Sequence, residues 1–152
     1  MIILTIIFLI IDIISKLVVS SLMNVYDSIV IIKNFFCITY VRNTGAAWSI
    51  FEGRVLGIIV VSLIIISFIV YYISKQKVKS KLEKIGYSLI LGGALGNLLD
   101  RIIYGYVIDF LDFNIFGYDY PIFNLADSFI FVGVMLLIIY TWRNNDGDEG
   151  YR

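Results

Sequence analysis

The sequence predicts an all-α membrane protein, with four transmembrane helices carrying a small extracytoplasmic β-sheet in a single domain over residues 1–152. Three observations lead there. Apolar residues make up 60% of the 152-residue chain and charged ones 16%, with a mean hydropathy of +0.92. Soluble domains average about 45–50% apolar and about 25% charged. Four stretches, about 2–23, 55–73, 85–104 and 123–142, reach the length of roughly 20 apolar residues that crosses a hydrocarbon core. Within 24–54, the β-branched and aromatic runs Ser28–Ile32 and Phe35–Val41 flank Lys33-Asn34, the pattern of two short strands and a turn.

The first helix begins at Ile2, has no basic residues before its apolar run and is interrupted by Asp12 and Lys16. It therefore reads as a retained span rather than a cleaved signal peptide. The second, Val55 to Ile73, carries no charge. Lys75, Lys77, Lys79, Lys81 and Lys84 follow it, whereas the loop at 105–122 has no Lys or Arg and carries Asp109, Asp112 and Asp119. The Lys-rich loop is thus expected on the cytoplasmic side, with both termini inside and the 24–54 and 105–122 segments outside. Lys33, Arg42 and Arg54 weaken this bias without reversing it. The tail 144–152 is polar and acidic and is expected to be disordered.

The chain has no histidine and one cysteine, Cys37. This excludes Ser-His-Asp and Cys-His nucleophiles, HExxH zinc sites, internal disulfides and thiolate clusters. Twelve basic residues balance twelve acidic ones, so nothing points to a nucleic-acid partner. Polar residues inside the spans then carry the information, because a central Asp or Lys costs about 2.5–3.5 kcal/mol. Asp12 and Lys16 are spaced i, i+4, as for an ion pair on one helix face. In the third helix Gly92 and Gly96 fit small-xxx-small packing, while Asn97, Asp100 and Arg101 gather an amide, a carboxylate and a guanidinium at its outer end. Asp100 there reads either as the counter-ion of a snorkelling Arg101 or as part of a site.

Asn124 reads as an N-cap and Asp127 as a first-turn acid of the fourth helix, and Asp109 as an interfacial loop acid. Both aspartates fall at the outer membrane edge with apolar neighbours on each side. Without histidine, the proteolytic chemistry left to common side chains is a carboxylate dyad. One Asp deprotonates a water while the other, protonated, polarises the scissile carbonyl.

Four stretches carry a family resemblance: Asp12-Ile-Ile-Ser-Lys16; Asn43-Thr-Gly-Ala-Ala-Trp-Ser49; Gly92-Gly-Ala-Leu-Gly-Asn-Leu-Leu-Asp-Arg101 with Val107-Ile-Asp109-Phe; and Phe123-Asn-Leu-Ala-Asp127-Ser. In this order within four spans, the chain resembles the lipoprotein signal peptidases, the type II signal peptidases of bacteria. The resemblance implies an aspartic peptidase that removes the signal peptide from diacylglyceryl-modified prolipoproteins before the lipidated cysteine. It implies Asp109 and Asp127 as the catalytic pair, and Asn43, Gly45, Asn97, Arg101 and Asn124 around the substrate. Asp12, Lys16 and Asp100 take supporting roles. No metal or cofactor is implied; membrane lipid and globomycin-type inhibitors are the further partners. The expected state is a monomer in the bacterial cytoplasmic membrane, its site near the extracytoplasmic face, with the outer β segment as a cradle on the membrane. The chain departs from the family pattern in lacking a polar or basic prefix, and in having only Arg143 and Arg152 as basic residues of its tail.

Two other classes remain. An ion or proton translocator would need polar residues from one face to the other, whereas the second helix offers only Ser62 and Ser67. An assembly factor held by glycine-rich helix contacts would tolerate Asp109→Asn. The absence of a GxGD sequence disfavours a presenilin-type protease, and the absence of histidine a rhomboid-type one.

Overall fold

The computed structural model describes residues 1–45, 53–76, 78 and 80–148, without the side chains of 145–148. Residues 46–49 of the Asn43-to-Ser49 motif, Lys77 and Lys79 of the basic loop and residues 149–152 of the tail lie outside the described residues. The element order is α1 (Ile2–Leu22), β1 (Ser28–Ile32), β2 (Phe36–Asn43), α2 (Val55–Lys75), α3 (Lys81–Tyr104), β3 (Val107–Ile115), β4 (Tyr118–Asp119) and α4 (Leu125–Asp148).

By length and composition, three helices can cross a membrane: α1 and α2, each with mean hydropathy 2.8, and Leu125–Asn144 of α4, with 1.9. The helix α3 is less apolar because it is the centre of the bundle. It packs most extensively on α4, then on α1, then on α2, and α2 packs chiefly on α3 among the described residues. Positions that face lipid in the other helices, such as Ile10, Ile14, Ile64 and Phe131, are exposed and apolar. In α3 the corresponding surface is covered by protein, and small or polar residues are admitted. Its start precedes the predicted 85 because Ser80 caps it, the Ser80 Oγ accepting from the Leu82 N–H at 3.2 Å. It stops at Gly105, whose φ of 76° is left-handed.

Two expectations are corrected. Residues 105–122 are not simply a loop: they contribute β3 and β4 to the small sheet expected from 24–54, which is four-stranded and antiparallel in the order β1-β2-β3-β4. Alternation along Val107–Ile115 is masked because the strand is covered on both faces at its start, where Val107 to Phe110 are all buried. The second correction concerns the tail, which stays helical through Asp148. Once α4 is nucleated, each further residue adds a backbone hydrogen bond at little ordering cost.

The sheet is locked to α1 by a core of Val19, Met23, Tyr40, Ile108 and Phe110. Although two helices separate β2 from β3 in sequence, they pair in register, with Asn43 opposite Val107 and Val41 opposite Asp109. Side chains of such pairs share a face, so Asn43 and Asp109 point the same way. The start of α4 is stitched to β3: the Phe123 carbonyl accepts from Phe110 N at 2.9 Å and Leu111 N at 2.7 Å, and Phe123 N donates to the Leu111 carbonyl at 3.1 Å.

Two α3 glycines set the helix spacing. A Cβ at Gly93 would overlap the Ala126 carbonyl, and one at Gly96 the Asp12 carboxylate. Gly92 packs against Thr5 and Phe8, as small-xxx-small packing predicts. Gly96 makes room for a buried carboxylate instead of a helix backbone.

Candidate active site

The fold brings Asp109 of β3 and Asp127 of α4 to either side of Asn124. That residue caps α4 reciprocally: its Oδ1 accepts from Asp127 N at 3.0 Å, and Asp127 Oδ2 accepts from Asn124 N at 3.2 Å. This is a capping box with an Asp at its third position. The Asn124 Nδ2 donates to Asp109 Oδ1 at 2.6 Å and to Asn97 Oδ1 at 3.1 Å. The remaining carboxylate oxygens are also filled, Asp109 Oδ2 by Asn43 Nδ2 at 2.9 Å and Asp127 Oδ1 by Asn97 Nδ2 at 2.8 Å. Each of the four oxygens of the pair therefore accepts one N–H. Asp109 is buried, whereas Asp127 is half-buried, so the pair opens on the α4 side.

The amides cannot be turned over without loss. Asn43 Oδ1 accepts from the Gly45 N–H at 2.9 Å, which leaves its NH2 for Asp109. Arg101 ties the β2 exit to α3, with Nη2 donating to the Gly45 carbonyl at 2.8 Å and Nη1 to the Asn97 carbonyl at 3.2 Å. The alternative role of Asp100, as counter-ion of Arg101, is corrected. Asp100 Oδ2 pairs with Lys16 Nζ at 3.0 Å and accepts from Ile108 N at 3.2 Å. The predicted pair of Asp12 and Lys16 forms at 2.7 Å and is sealed from solvent.

The chain matches the family described as Signal peptidase (SPase) II over residues 4–143. The chain belongs to the signal peptidase II family. It is 46% identical over 141 residues to a lipoprotein signal peptidase of Halothermothrix orenii, covering 93% of this chain and 94% of that protein. It is 40% identical to the lipoprotein signal peptidase of Staphylococcus haemolyticus, with 93% and 89% covered. Its fold is similar to a bacterial membrane enzyme structure determined by the in meso method at 2.3 Å resolution. The TM-score is 0.89 at 38% identity, over 96% of this chain and 89% of the other.

In this signal peptidase II chain, burial is the main cause that pushes the Asp109 carboxyl up to about 7, and the negative charge of Asp127 adds to it. Hydrogen bonds from Asn43 and Asn124 and the Lys16 charge pull the other way. No role for Ala126 or Gly93 is readable from sequence, although both lie inside motifs that carry the family resemblance. Ala126 is fully buried and donates its N–H to Asp12 Oδ1 at 2.9 Å, fastening the start of α4 to α1. The pairing of two small residues across α3 and α4 was their only signal, and it is visible only once the helices are known to touch. Among the described residues, no group of three or more His, Cys, Asp or Glu side chains converges.

Proposed function

We propose that this chain is an aspartic endopeptidase that removes the signal peptide from diacylglyceryl-modified prolipoproteins, cutting before the lipidated cysteine, with Asp109 and Asp127 as its catalytic pair. One observation carries the reading: two carboxylates from distant segments are held by one residue, Asn124, which donates to Asp109 from its side-chain Nδ2 and to Asp127 from its backbone N–H, and burial raises the Asp109 pKa to about 7. The similarity to two lipoprotein signal peptidases supports the substrate class.

In the resting pair Asp109 holds the proton and Asp127 is ionised. Asp127 takes a proton from water as the water oxygen adds to the scissile carbonyl carbon, and Asp109 gives its proton to the carbonyl oxygen. Collapse of the resulting gem-diol breaks the C–N bond. Asp127 then protonates the leaving amine, and a diol hydroxyl returns its proton to Asp109. Arg101 and Gly45 hold the β2 exit beside the pair and so shape the substrate's path to it. Asn43, Asn97 and Asn124 hold the carboxylates and line the same space. The protein acts as a monomer in the bacterial cytoplasmic membrane, with α3 as its fourth span, the sheet on the extracytoplasmic side as a membrane-surface cradle, and globomycin-type peptides binding at the same site.

The test is cleavage of a diacylglyceryl-modified prolipoprotein beside its unlipidated form. Cleavage of the lipidated form alone is expected; equal cleavage of both would remove the lipid from recognition. Turnover should also fall as pH rises through about 7, because the raised pKa of Asp109 keeps its proton only below that point. A kcat profile that stays flat from neutral to alkaline pH would contradict the assignment of the acid. Reporters fused after Trp142 or after Lys75 should read as cytoplasmic, and an external signal at either would reverse the topology.

A further inference from the structure

Lys16 has no route to solvent at 2% exposure, so whatever it does is internal. An ammonium has three N–H donors. Here the ammonium is ion-paired with Asp12 Oδ2 at 2.7 Å and Asp100 Oδ2 at 3.0 Å, and it donates a hydrogen bond to Asn97 Oδ1 at 2.9 Å. Neutralising a buried cation requires one carboxylate, and two are already present. The third bond, to Asn97, is therefore not explained by charge burial.

Asn97 Oδ1 receives donors from both Lys16 and Asn124. Two donors converging on one atom require that atom to be the oxygen, and the NH2 must then face the other way, onto Asp127. Turned over, the amide would set its oxygen against the Asp127 carboxylate and its NH2 against both the NH2 of Asn124 and the Lys16 ammonium, so three favourable contacts would become repulsive; without Lys16 only Asn124 and Asp127 oppose that turn.

We infer that Lys16 is a positioning residue for the catalytic pair, locking the Asn97 carboxamide so that Asn97 serves Asp127 and anchors Asn124, which serves Asp109. This rests on the reading of Asp109 and Asp127 as the reacting groups. The charged groups facing the assembly are Asp12 and Lys16 on α1, Asp100 and Arg101 on α3, Asp109 on β3 and Asp127 on α4. Lys16 and Arg101 are the cations among them, so loss of Lys16 leaves the pair less able to hold its negative charge.

The experiment measures kcat, KM, the kcat–pH profile and the thermal midpoint on a lipidated prolipoprotein in lipid nanodiscs. Lys16→Met alone strands two buried carboxylates, so Asp12→Asn/Lys16→Met/Asp100→Asn is compared with Asp12→Asn/Asp100→Asn, which keeps Lys16. The triple variant is expected to lose about 10- to 100-fold in kcat against that reference, the usual scale for removing the partner that orients a reacting group. KM should stay close to the reference, and the acid limb of the profile should move to higher pH. Asn97→Ala, which leaves Lys16 paired to both carboxylates, should show the same two changes, and adding it to the triple variant should cost little more. A folded triple variant with the reference kcat and acid limb would make Lys16 purely structural and overturn the inference. Losses that multiply with Asn97→Ala would overturn it as well. If the triple variant does not fold, Asn97→Ala decides, and a wild-type kcat and profile there overturn it. Asp109→Asn and Asp127→Asn run alongside. Cleavage retained by either breaks the underlying dyad reading, which a null result at Lys16 alone does not.

Discussion

Asp109→Asn and Asp127→Asn are each expected to lower turnover of a lipidated prolipoprotein by at least about 1,000-fold, within the range for loss of a positioned acid or base. Both variants should still insert and fold. Asn is isosteric with Asp, and at 109 it removes a carboxylate that burial and Asp127 already penalise in its charged form. An Asn at 109 can accept through its one oxygen and must turn its NH2 toward the other donor, so a modest loss of thermal stability accompanies the loss of activity. At 127 the same substitution retains one acceptor for either the Asn97 amide or the Asn124 N–H. A gel-shift cleavage assay with a thermal midpoint on each variant separates inactivity from unfolding. Near wild-type turnover by a folded variant would remove that residue from the mechanism. It would also favour the non-catalytic assembly-factor reading if both survive.

The second large effect is expected at a residue without any chemistry of its own. Gly93→Val places a branched side chain where even a Cβ overlaps the Ala126 carbonyl, with Ile130 Cγ1 only 3.0 Å from that Cβ. The obstacle is backbone, so α3 and α4 must separate at the level of the site. Asn97, one helical turn beyond Gly93, donates to Asp127 at 2.8 Å and would lose that bond on a shift of about 1 Å. Misplacement on this scale costs about 100-fold in rate, and the overpacking itself costs about 1–3 kcal/mol. Gly57→Ala is the matched control, since a Cβ there meets nothing within 4 Å. Wild-type cleavage by Gly93→Val would show that the helix contact does not set the geometry of the pair.

The helices were legible because lipid imposes a length and a composition that few other contexts impose, as Val55 to Ile73 shows. Asp12 and Lys16 were legible for the same reason: charges in a span demand partners. Their partner Asp100 was left open between counter-ion of Arg101 and part of the site, because spacing cannot show that Lys16 reaches it from a different helix. The strand at Val107–Ile115 was missed since its first four residues are all buried, with Ile108 and Phe110 in a core with Val19 and Met23, which erases alternation there. Asn43, Asn97 and Asn124 were singled out, yet their convergence on the two aspartates was not readable from spacing. It depends on β2 pairing with β3 across two intervening helices and on α3 packing against α4.

The Ala126 N–H on the Asp12 carboxylate joins α1 to α4, which is made more than a hundred residues later. Asp127 follows immediately, so every earlier stage of synthesis lacks one of the two carboxylates and the clasp that seats it. On the proposed assignment, a chain that stops before residue 124 carries Asp109 but not Asp127, and it is expected to show no cleavage until the fourth helix docks.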